Sequence, residues 1–242
     1  MKKINTILAA FSALLMLSVT SANSLEFKAG VSANGMAAYA NAKETLKDSG
    51  REVNEEAILA TSFASVFAEI SSDEMAGLGI GVSYAPDVAD LNKETREINT
   101  CNDQTGGNTG AACVDKTGTG ADSGTTTVDA KINDLLSVYV TLPVGDTGAY
   151  VKAGYIQATM VTEESLATGS KYEDVDMTGT QIGGGYEGSL GDMAFWRAEG
   201  TYQMWDDINA SGSESDGDDT TKNKITAELG SVTGTLSVGM KF

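Results

Sequence analysis

The chain closes on Leu236-Ser237-Val238-Gly239-Met240-Lys241-Phe242. Apolar side chains alternate with small or charged ones. Successive side chains of a β-strand point to opposite faces, so this stretch reads as a strand with one apolar and one polar face. The same period of two recurs upstream. Leu25, Phe27, Ala29 and Val31 alternate with Glu26, Lys28, Gly30 and Ser32. Leu78, Ile80, Val82 and Tyr84 alternate with Gly77, Gly79, Gly81 and Ser83, and Leu136, Val138, Val140 and Leu142 with Ser137, Tyr139 and Thr141. Val151, Ala153 and Tyr155 flank Lys152 and Gly154. Ile182 and Tyr186 alternate with Gly183, Gly185 and Glu187, and Trp196, Ala198 and Tyr202 with Arg197, Glu199 and Thr201. That makes seven strands.

Residues 58–70 fit two periods, because Ile58, Leu59, Phe63, Val66, Phe67 and Ile70 also match helical spacing. They are read as a strand, since they run into the short Ser71-Ser72-Asp73-Glu74 turn and a clear strand follows. The connections alternate in length: short at 71–74, 143–148 and 189–192, long at about 42–55, 87–126, 163–173 and 207–222. Short turns at one end and long loops at the other are the plan of an up-and-down barrel of the bacterial outer membrane. Pro86 and Pro143 fall at strand ends, where no ladder donor is lost. A soluble β-sandwich is the competing architecture, since it too alternates and turns on glycine.

The N-terminus reads as an address. Lys2 and Lys3 precede an apolar run from Ile4 to Val19, closed by Thr20-Ser21-Ala22-Asn23-Ser24. This is the pattern of a secretory signal peptide spanning 1–22, with cleavage after Ala22 or as late as Ser24. The other reading of the run is a membrane anchor. Residues 23–242 then form the barrel domain. The chain carries 34 acidic and 16 basic side chains, a formal charge of −18, and no histidine. Losing Lys2 and Lys3 takes it to −20 (−18 − 2). So acidic a chain is ill suited to nucleic acid, and no cofactor is called for.

The terminal Phe242 on an alternating strand, the signal peptide and the loop alternation together resemble the small eight-stranded outer-membrane barrels of the OmpA, OmpX and opacity-protein type. The resemblance is one of pattern and covers the mature chain. It implies an all-β, eight-stranded antiparallel up-and-down transmembrane barrel in the outer membrane of a Gram-negative cell, monomeric, with a side-chain-filled lumen. It implies contact with outer-membrane lipid. It also implies recognition by the barrel-assembly machinery through Leu236, Val238, Met240 and Phe242. Phe27, Tyr84, Tyr155, Trp196, Tyr202 and Phe242 suit aromatic girdles.

If the apolar sets face lipid, parity turns Glu26, Lys28, Glu69, Lys152, Glu187, Arg197 and Glu199 into the lumen at one depth, where opposite charges should pair. Two roles follow: a plug of salt bridges, or a gate in a narrow cation-preferring pore or small-solute transport barrel. The upper lumen reads as small and polar, mostly Gly, Ser and Thr with Tyr139 and Gln203, without an apolar channel. In the 87–126 loop, Cys101 and Cys113 make the single possible disulfide, the default for an exported chain. The acidic stretch 206–219 holds Asp206, Asp207, Glu214, Asp216, Asp218 and Asp219 but does not match a calcium loop. A solvated surface is the preferred reading there, with Asp216, Asp218 and Asp219 the alternative metal ligands. Gly183-Gly184-Gly185 lacks the following helix and lysine of a phosphate loop.

Barrel enzymes of the palmitoyltransferase, deacylase and omptin types rely on histidine, and this chain has none. The expectation is a non-enzymatic barrel with a structural or surface-recognition role. Its loops would meet an extracellular ligand, a cell surface or phage.

Overall fold

The computed structural model describes residues 25–45, 52–100, 122–165, 173–211 and 224–242. The segment 1–24, Cys101, Cys113, Glu214, Asp216, Asp218 and Asp219 lie outside these. The strands are β1 (Leu25–Thr45), β2 (Glu52–Ser72), β3 (Leu78–Thr100), β4 (Asp122–Pro143), β5 (Ala149–Ser165), β6 (Val175–Ser189), β7 (Ala194–Trp205), β8 (Ile208–Ser211) and β9 (Lys224–Lys241). Each pairs antiparallel with its neighbour, and β1 pairs with β9, which closes the sheet. β8 continues the wall position of β7 after a break at Asp206-Asp207 and pairs with β9 alongside it. The wall is therefore an eight-stranded closed barrel, and closure excludes the sandwich. Residues 58–70 lie within β2.

The register fixes the barrel's shape. From Phe27 the ladder partners run Ile70, Ile80, Val140, Ala153, Ile182, Tyr202 and Val232 and return to β1 at Ala37. The return is ten residues further along (37 − 27). With eight strands about 4.8 Å apart and about 3.4 Å per residue, this stagger gives a tilt of about 40° and a backbone radius of about 8 Å.

The turn end is compact. A single 3-10 turn, Asp73–Met75, joins β2 to β3, with Ala76 and Gly77 both at positive φ. At Gly77 any side chain would also press on the Pro143 ring. The opposite end departs from the sequence reading. Much of what reads as long loop is strand: β1 runs on to Thr45, β3 to Thr100, and β4 starts at Asp122. Composition hid this, because beyond the apolar band both strand faces turn polar and the alternation that marks a strand is lost.

Parity separates the two faces. Val31, Ile58, Val138, Val151, Ile182, Val232, Leu236 and Val238 are all exposed on the outside. The charged and amide side chains Glu69, Lys152, Gln181, Arg197 and Gln203 are buried inside. This distribution inverts that of a water-soluble protein, whose large apolar side chains collect in the core.

Candidate functional site: a charged layer inside the barrel

The seven charged residues that parity assigns to the lumen lie together near the turn end. Arg197 is the hub. Its Nη1 and Nη2 donate to the two carboxylate oxygens of Glu69 at 2.9 and 2.7 Å, a fork on β7 meeting a carboxylate on β2. Its Nε donates to Glu187 on β6 at 2.7 Å. Lys28 on β1 donates to the same Glu187 carboxylate at 2.9 Å and lies 3.1 Å from Glu26. Lys152 on β5 donates to Glu199 at 2.7 Å. Only 3% of the Arg197 side chain and 2% of that of Glu69 is exposed. Charges taken that far out of water persist only when paired and hydrogen-bonded.

Several members of this layer were not picked out from the sequence. Lys241 lies 4.0 Å from Glu26. Its place in the last alternation was the available signal, and it brings the layer to four basic and four acidic groups. Tyr150 donates from its hydroxyl to Glu199 at 2.6 Å. Tyr139, which the sequence reading places in the upper lumen, is buried in this layer instead, with the Lys152 ammonium 4.0 Å from its ring centre. The rings of Phe67, Phe195 and Tyr150 sit 5.2–5.4 Å from the guanidinium carbon of Arg197, so aromatic faces supply the contacts that water would otherwise make. Phe67 belongs to the 58–70 segment that fits two periods. Its parity with Glu69 turns it inward.

The rings fit because glycines face them. At Gly81, the ladder partner of both Glu69 and Tyr139, any Cβ would press into the Tyr139 ring.

Above the charges comes a neutral hydrogen-bonded tier. Gln181 donates to Ser137, Ser231 donates to Gln203 at 2.6 Å, and Asn34 donates to Ser65 at 2.9 Å while accepting from Thr235 at 2.8 Å. Ser32 and Ser237 share a bond of 2.8 Å.

Above that the lumen turns apolar, which corrects the expectation of a small, polar upper lumen. Met36, Ala85, Val88, Ile132, Leu135, Ile156, Ala158, Met177 and Ile208 form one buried cluster, with Phe63, Leu59 and Trp205 packed against it. Parity from the lower strands turns Met36, Ala85, Leu135, Ile156, Ala158 and Met177 inward, whereas Val88 and Ile132 leave it where the β3–β4 ladder slips between Asp87 and Ala89 and the β4–β5 ladder between Asn133 and Leu136. Each slip resets which residues face in.

Little space is left. A cavity of about 50 Å³ lies between the charged layer and the apolar cluster, bordered by Ser32, Asn34, Tyr139, Gln181 and Arg197. It has room for one or two water molecules and no larger solute. A second cavity of about 140 Å³ opens at the turn end beside Lys28, Glu69, Thr141 and Glu187. Arg197 lines both and stands between them. Among the described residues no cluster of three or more carboxylate, cysteine or histidine side chains is arranged to hold a metal ion. Of the acidic stretch, Asp206 accepts from the Thr178 hydroxyl at 2.5 Å.

No family model matches the sequence, and no curated protein is similar to it. Solved structures of similar chain path exist. OprG of Pseudomonas aeruginosa is 12% identical, with 90% of this chain and 96% of that chain aligned at a TM-score of 0.47. The outer membrane protease OmpT of Escherichia coli is 12% identical over 90% and 97%, at 0.45. Ail of Yersinia pestis, solved with the heparin analogue sucrose octasulfate, is 12% identical over 88% and 99%, at 0.37.

Proposed function

We propose that this chain is a non-enzymatic integral barrel of the outer membrane. Its lumen is closed by the Arg197-centred charge layer together with the apolar cluster above it, and its role is structural or one of surface recognition. The observation that carries the membrane reading is the inverted polarity: exposed Val31, Val138, Val151, Ile182, Val232 and Leu236 outside, ionised groups inside. Only a solvent of acyl chains makes that arrangement favourable. In this reading residues 1–22 direct export, and the outward side chains of Leu236, Val238, Met240 and Phe242 mark the strand read by the assembly machinery. Cys101 and Cys113 pair in the outer hairpin, and the outer ends of the strands meet a ligand, cell surface or phage. No histidine is present to serve as a general base.

The closed-lumen reading rests on the two cavities that meet only at Arg197 and on the apolar cluster that fills the lumen above them. Refolded, heat-modifiable protein in a planar bilayer should leave the membrane silent. A reproducible cation-selective step would overturn the plug in favour of a narrow pore. Failure to show heat-modifiable migration would overturn the membrane barrel itself.

A further inference from the structure

The outward apolar belt is not level. On β1 it runs from Phe27 to Tyr39, and on β2 from Ile70 to Ile58 before Glu56 ends it. Twelve residues at about 2.6 Å of axial rise each span about 30 Å, a full hydrocarbon core. On the opposite wall the belt stops early. Its continuous run of apolar side chains ends at Tyr84 on β3, Leu136 on β4, Tyr155 on β5 and Ile182 on β6, with Val161 a lone apolar position further up β5. Next beyond them come the exposed Pro86 and Asp87 on β3, Asp134 on β4, Gln157 on β5 and Thr180 on β6. The Tyr84 hydroxyl donates to Asp134 at 2.5 Å at this edge. Four to six residues of belt span only about 10–15 Å.

A second, independent feature begins at the same level. β2 and β3 pair from Ser72↔Leu78 up to Val66↔Tyr84 and then part, although β2 continues to Glu52 and β3 to Thr100. Across the seam the Thr61 hydroxyl reaches the carbonyl of Val88 at 3.0 Å. Ile58, on this free edge, is 88% exposed. Unpaired strand edges do not face acyl chains, because each unsatisfied backbone group there costs several kcal/mol.

Both features have one solution. We propose that the barrel thins the outer leaflet along β3–β6, so that lipid headgroups and water meet this upper wall and the open β2–β3 seam. The full core thickness is kept along β1, away from the seam. The inference rests on the membrane reading above and specifies how the barrel sits in that membrane.

The register supplies matched test positions. Each ladder step from β6 through β7 and β9 to β1 climbs about 3 Å along the axis. Ala37 is three steps from Ile182 (through Val232 and Tyr202), hence about 9 Å higher. Thr180, two residues beyond Ile182, is still below Ala37. Gln157, by the same count through Ala153, lies at or just below the level of Ala37, and Val232, the ladder partner of Ala37 on β9, lies one step below it.

Single cysteines at Ala37, Val232, Gln157 and Thr180, in a background with Cys101 and Cys113 replaced by serine, would carry a nitroxide. The barrel would be refolded into palmitoyl-oleoyl phosphatidylcholine vesicles and its heat-modifiable migration verified. Accessibility to a water-soluble nickel chelate, relative to oxygen, should be several-fold higher at 157 and 180 than at 37 and 232. Oxygen-dominated values at all four sites would overturn the thinned leaflet and leave the membrane reading intact. Nickel-dominated values at all four would overturn the membrane reading itself. Two sites on each wall keep the comparison decisive if one variant does not refold.

Discussion

Arg197→Ala is the most informative single perturbation of the charged layer. The wild-type side chain makes three charge-assisted bonds, two to Glu69 and one to Glu187, and is almost wholly buried. Truncation strands the two carboxylates unequally. Glu187 keeps Lys28 at 2.9 Å, whereas Glu69, 2% exposed, loses its fork. Leaving one partner of a buried pair uncompensated costs about 3–5 kcal/mol, a shift of roughly 10²–10⁴ in the unfolding equilibrium. Urea unfolding of the refolded barrel in lipid vesicles, followed by heat-modifiable migration, reads that loss directly. Adding Glu69→Gln should recover much of it, because the uncompensated charge and not the missing contact dominates the cost. Conductance should stay silent in both variants, since the apolar cluster above still fills the lumen. A loss below about 1 kcal/mol for Arg197→Ala, the range of a solvated surface pair, would refute the reasoning.

Other expectations address the two faces and the outer hairpin. Val31→Lys, at a site 55% exposed in mid-belt, should cost about 2–4 kcal/mol in the same vesicle titration, against about 0.5 or less were that face in water. Gly81→Val drives a branched side chain into the Tyr139 ring and should destabilise by about 1–3 kcal/mol, seen as a lower folded fraction on the gel. Ile156→Ala, at a fully buried site in the apolar cluster, should cost about 2–5 kcal/mol by the cavity it leaves. Alkylation with and without prior reduction should give a mass difference of two thiols if Cys101 and Cys113 pair. Closing that loop of 13 residues, counted from Cys101 to Cys113, constrains the unfolded chain by roughly 3 kcal/mol.

What the sequence carries and what it hides follow one physical line. Period-two alternation survives wherever one face meets an apolar medium and the other does not, which holds for the lower half of every wall strand. There, strand identity, face and the inward charges are legible from parity alone, down to Lys28, Lys152 and Arg197. Higher up, the outward face of β3–β6 turns polar while the lumen turns apolar, and the ladder slips at Asp87/Ala89 and Asn133/Leu136. Alternation then carries the wrong sign or none. Val88 and Ile132 share the parity of the lipid-facing Tyr84 and Leu136, yet both are buried inside. Partners across the barrel are also beyond local reading. Lys28 meets Glu187 across 159 positions, and Arg197 meets Glu69 across 128. Only closure with the observed stagger brings them to one level.

That stagger suggests why a lumen walled off from water holds ionised groups at all. An apolar filling of similar volume would hold a barrel closed with equal or greater stability, since desolvation consumes most of what a buried pair returns. An apolar filling, however, is tolerant of register. A strand that slides by two residues keeps its faces, and a lumen of leucines would accept the slide. The charged layer does not. Its members come from β1, β2, β5, β6, β7 and β9, and one fork on β7 has to meet one carboxylate on β2. Sliding β2 by two residues replaces Glu69 with Phe67 or Ser71 opposite Arg197 and leaves a guanidinium without its partner. The layer therefore discriminates among closures that hydrophobic burial alone treats as equivalent. The apolar cluster above it, fed by the irregular β3 and β4, supplies the filling that needs no such precision.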